Sequence, residues 1–132
     1  MRVEKLDKSR YKHFLDRAER FLKSAENAYE SRFWDVCVSM SIHAAIAAAD
    51  ALNVKVLGVR STSPRHEDTL ALFIKTYPND VSLHQNAKRL ENILSGKSAA
   101  EYGSRTLDED DAESTLRDAH RFVGFVGERL AK

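Results

Sequence analysis

The feature that most constrains this chain is a run of small and apolar residues from Val36 to Leu57, reading VCVSMSIHAAIAAADALNVKVL. As a helix it is apolar around nearly its whole circumference. A helix of that kind belongs at the centre of a bundle, enclosed by its neighbours. Two polar side chains, His43 and Asp50, stand in and beside the alanine run. Buried polar groups need partners, so this pair marks either a structural network or a site. About two turns, roughly 10 Å, separate their backbones. Each therefore looks to another helix for its partner.

The flanking segments supply the other helices. From Lys8 to Glu30, apolar residues from Tyr11 to Tyr29 recur at three- and four-residue steps and define one buried face. The opposite face carries Asp16 before Arg20 and Glu19 before Lys23, favourable pairs on a wet helix surface. An aromatic break at Phe33-Trp34 leads into the central helix, and Gly58 ends it. The residues from Gly58 to Ser63 read as a loop. A third helix is expected from Ser63-Pro64, a good cap followed by a tolerated first-turn proline. It stops at Tyr77-Pro78. A fourth helix begins after Asn79-Asp80 and places Leu83, Ala87, Leu90 and Leu94 on one face. Gly96 caps or bends it before a possible continuation from Lys97 to Tyr102, where Gly103 breaks the pattern. A fifth begins near Asp108 and buries a stripe from Ala112 to Leu130. No strand-like alternation is visible. Short connections favour antiparallel neighbours, so the expectation is an all-α, antiparallel four- to five-helix up-and-down bundle, one domain over residues 1–132.

Composition narrows the function classes. A formal charge of +1 gives no overall electrostatic footprint for nucleic acid or membrane. The single cysteine, Cys37, excludes an internal disulfide, and its apolar helix points to an inert packing thiol. The five histidines fall on five different helices without ligand spacing, and the Glu-x-x-His pairs of a di-iron bundle are missing, so no metal and no cofactor is expected. No nucleophile elbow or phosphate-cradling glycine loop occurs. The charged first thirty residues do not read as a signal peptide, and no apolar run reaches the roughly 20 residues that span a bilayer. A cytoplasmic protein without a membrane partner is expected.

Two groups of residues could carry chemistry. Arg60 and His66 are spaced as Arg-x5-His. Histidine can act as acid or base near neutral pH and arginine can stabilise charge on phosphorus, so the two suit RNA cleavage. The same spacing also describes an ordinary loop arginine beside a helix-start histidine. The second group is a polar cluster of Asp50, His66, Lys97 and Tyr102, which antiparallel helices could bring to one end of the bundle. Apolar residues beyond the core stripe, namely Phe33, Trp34, Phe122 and Phe125, suggest a second packing surface and a homodimer.

The order of these features resembles the HEPN superfamily of prokaryotic helical-bundle domains. The resemblance rests on the segment from Phe21 to Tyr29, the aromatic break at Phe33-Trp34, the helix from His43 to Leu52 and the polar stretch from Gly58 to His66. Lys97-Ser-Ala-Ala-Glu-Tyr102-Gly103 and Ala119-His-Arg-Phe-Val123 complete it. Membership implies a dimerising bundle with a role near RNA metabolism, phage defence or a toxin–antitoxin pair. Catalytic members are metal-independent endoribonucleases marked by Arg-x4-6-His before a late helix. Here the late segment holds Lys97 and Tyr102 with no histidine between them, and Arg60 and His66 lie earlier. The resemblance therefore implies an interaction or RNA-associated module without catalysis of its own, with RNA or a nucleotidyltransferase as partner. The alternatives are an endoribonuclease toxin using Arg60 and His66 across a dimer, and a structural bundle docking a larger enzyme.

Overall fold

The computed structural model describes residues 1–96 and 104–132. Its helices are α1 (Tyr11–Glu30), α2 (Trp34–Leu57), α3 (His66–Thr76), α4 (Val81–Ser95) and α5 (Glu109–Leu130). The all-α bundle read from the sequence is what forms. The central helix is α2: α1 packs along it most extensively, α5 next, and α3 and α4 close the remaining side. Ala44, Ala45, Ala48, Ala49 and Ala51 are completely buried on it. Small side chains on several faces let neighbouring backbones approach on each of them, which larger residues would prevent.

By length and mean hydropathy (1.4 over its most apolar window), α2 could also cross a membrane. The sequence reading that no run is long enough understates it. Within this fold, 67% of that window is buried in the bundle, so protein side chains supply its apolar surroundings.

Local chemistry sets the helix ends. At α2 the chain turns at Gly58, whose φ of 71° lies in the left-handed region that favours glycine, and its N–H bonds the Val54 carbonyl. Helix α5 opens on a reciprocal capping box: the Asp111 N–H donates to Asp108 Oδ1 at 3.0 Å and the Asp108 N–H to Asp111 Oδ2 at 3.0 Å. Asp80 caps α4 by accepting from the Leu83 N–H at 2.9 Å, and Arg129 of α5 holds the same carboxylate at 3.0 Å.

Three sequence expectations change. The stretch after Gly58 is partly a strand: β2 (Val59–Ser61) pairs antiparallel with β1 (Val3–Lys5), with Glu4 opposite Arg60. Strands of three residues are too short for alternation to register. Helix α3 starts at His66 rather than at Ser63-Pro64, because the Ser63 hydroxyl accepts the Arg65 N–H at 3.1 Å in a local turn. Finally, Phe122 is fully buried, with its ring 5.2 Å from that of Phe73, so it belongs to the core and not to a dimer surface. Of the other aromatics, Phe33 is exposed, Trp34 lies against Tyr29, and Phe125 is half-buried under Arg129.

The close approach to α2 makes a specific prediction. Ala48→Leu, which adds volume where exposure is 0%, should destabilise the domain by about 1–3 kcal/mol. Chemical denaturation measures it, and unchanged stability would contradict tight packing at this face.

Candidate functional site

Asp50 is the one carboxylate that the central helix buries, with its side chain 7% exposed. The turn at Gly58 reverses the chain, and β2 then brings Arg60 back over the last third of α2. Its Nη1 approaches Asp50 Oδ2 at 3.9 Å, while its Nε donates to Glu4 Oε1 at 2.9 Å. Strand β1 thus provides the closer acid. The guanidinium also lies 5.3 Å from the centre of the Phe14 ring, and that of Arg17 lies 5.2 Å from the same centre. Arg17 is further tied to His13, Nη2 to Nε2 at 2.9 Å.

Asp50, Arg60 and Arg17 border a cavity of about 280 Å³ between α1, α2 and β2. Asp50 and Arg60 form one side, Arg17 another, and Ile46 and Ala47 contribute apolar surface. Phe21 and His43 complete it, their ring centres 5.3 Å apart and tilted by 32°. An adjoining hollow of about 290 Å³ shares Arg17 and Phe21 and extends to Arg20, Ser24 and Met40.

Electrostatics within the site do not balance. Burial pushes the Asp50 carboxyl up to about 7, against the opposing attraction of Arg60 and then Arg17. Burial wins for a geometric reason. The Arg60 contact of 3.9 Å is longer than the roughly 2.7–2.9 Å of a charge-assisted hydrogen bond. Asp50 Oδ1 is buried and accepts no hydrogen bond among the described residues. The ionised form is therefore desolvated without full compensation.

Of the expected site residues, Asp50 and Arg60 come together, a pairing that the sequence reading placed in separate groups. His66, the first residue of α3, borders a different cleft of about 450 Å³ with Pro64, Leu70, Glu91 and Leu94. Lys97 and Tyr102 lie outside the described residues. Sequence reasoning missed Glu4, Arg17 and Phe21. Arg17 and Phe21 carried a weak signal, being a cation and an aromatic one turn apart on α1; Glu4 carried none. Burial also raises the Cys37 thiol, which sits 3.9 Å from the Ala112 carbonyl in the core. Among the described residues, no group of three or more His, Cys, Asp or Glu could hold a metal ion.

The comparison with known families agrees with the fold: the HEPN domain matches residues 11–130, nearly the whole chain. No curated protein matches it. The chain belongs to the HEPN domain family.

A carboxyl whose folded value is raised binds its proton more tightly when folded. Between the unfolded value near 4 and the folded value of about 7, the folded state then holds more protons, so stability falls as pH rises through that window. Asp50→Asn removes the effect. Wild type should gain about 2–3 kcal/mol relative to this variant between about pH 8 and pH 5. Parallel denaturation curves across that range test it, and a pH-independent difference would refute the raised value.

Proposed function

We propose that this HEPN domain is an RNA-associated interaction module of a prokaryotic defence or toxin–antitoxin type system and does not itself cut RNA. The observation that carries this reading is the engagement of Arg60. Its guanidinium is held by Glu4 and Asp50 of the same chain and rests on Phe14, while His66 borders another cleft. An arginine so engaged acts as a structural cation. Catalysis by this pair would require Arg60 to release its own carboxylates and meet a histidine from a second copy, at the cost of depriving buried Asp50 of its stronger cationic neighbour.

RNA association draws support from the cavity and its neighbour. Arg17 and Arg20 place positive charge beside them although the chain as a whole is nearly neutral. Exposed Phe33 and Val36, at the start of α2, offer apolar surface to a second copy, and the module is proposed to work as a homodimer. A nucleotidyltransferase remains the proposed class of protein partner.

Incubating the purified protein with single-stranded RNA in the presence of a chelator tests the reading. The expected result is retarded but intact RNA, with retardation weakened by rising salt. Cleavage lost in both Arg60→Ala and His66→Ala would instead establish the endoribonuclease reading.

A further inference from the structure

We propose that the cavity between α1, α2 and β2 is a base-reading pocket, in which Asp50 accepts a hydrogen bond from the exocyclic amine of one unpaired RNA base. The proposal rests on the RNA-associated reading above and adds a selectivity to it. Three observations carry it. First, Asp50 Oδ1 is a buried acceptor with no hydrogen bond among the described residues, on a side chain only 7% exposed that borders the cavity. That oxygen is closed to solvent, so a donor in the cavity meets it once the carboxyl turns about its Cβ–Cγ bond. Burying such an atom unpaired is costly, and the new bond removes that cost. Second, Phe21 and His43 give the same cavity an aromatic wall, the surface against which unstacked bases pack in single-stranded RNA recognition. Third, the adjoining hollow continues from the shared Arg17 and Phe21 to Arg20, placing cations where the attached phosphates would run.

The size and the polarity of the pocket set the choice of base. A volume of about 280 Å³ lies just below the range of cavities that hold drug-sized ligands, enough for one flat ring system and too little for a base pair. A carboxylate oxygen accepts from the cytosine amine, whereas uracil presents a carbonyl oxygen at the same ring position and is repelled. Cytosine and uracil otherwise match in ring size, so the comparison isolates Asp50. Arg60 keeps its bond to Glu4 at 2.9 Å throughout, and the ligand need not displace it.

Fluorescence anisotropy of the full chain with labelled hexamers of cytidine and of uridine, in chelator at about pH 8.5 where the Asp50 carboxyl is ionised, tests the proposal. Wild type should bind the cytidine hexamer roughly three- to tenfold more tightly. Asp50→Asn, whose amide can meet either base, should bring that ratio close to one. Phe21→Ala should weaken both hexamers by about tenfold while keeping the ratio above one. Equal binding of the two hexamers by wild type would overturn the base pocket and leave RNA association standing. A cytidine preference that survives in folded Asp50→Asn would also overturn it. Binding of neither hexamer would remove the RNA-associated reading together with the pocket.

Discussion

The whole domain depends on how closely its other helices approach α2. Alanine covers much of that helix, and neighbouring backbones pack against it on several sides. Where the helix is enclosed, a charged side chain cannot stay in water. Asp50 is therefore buried by the same packing that holds the bundle together, and only something arriving at the edge of α2 can compensate it. The β1–β2 ribbon does so, and incompletely: the turn at Gly58 delivers Arg60, and the register with β1 delivers Glu4 to share it.

That sharing accounts for the chemistry of the site. Glu4 takes the short contact with Arg60 and leaves Asp50 the longer one, so one carboxylate oxygen beside a cavity accepts no hydrogen bond among the described residues. A core that only needed stability would replace such a group with an apolar residue of similar size. Its presence next to paired aromatic rings and arginines is the physical basis for reading the cavity as a binding place. The family assignment gives the fold; the reading of this cavity comes from the residues themselves.

How much of this was legible in the sequence depended on the length over which a signal repeats. The helices were legible because apolar residues recur at three- and four-residue steps over many turns, and α2 stood out because its small and apolar residues leave it no polar face. Asp50 was legible as a polar residue inside that run. The β1–β2 ribbon was not, because three residues cannot display alternation. Without the ribbon, nothing connects Arg60 to Glu4, 56 positions earlier, or to Asp50. Arg60 was therefore matched to His66, its nearest histidine in sequence. Phe122 was misplaced for a related reason: α5 buries residues against α2, α1 and α4, so apolar residues outside one stripe still belong to the core.

The central claim is that burial on α2 outweighs the attraction of Arg60 at Asp50. A carbon-detected NMR titration of the Asp50 carboxyl in the intact protein measures that balance directly. The account predicts a midpoint of about 7. A midpoint in the ordinary carboxylate range, near 4, would mean that Asp50 is fully compensated by its own chain, and would contradict it.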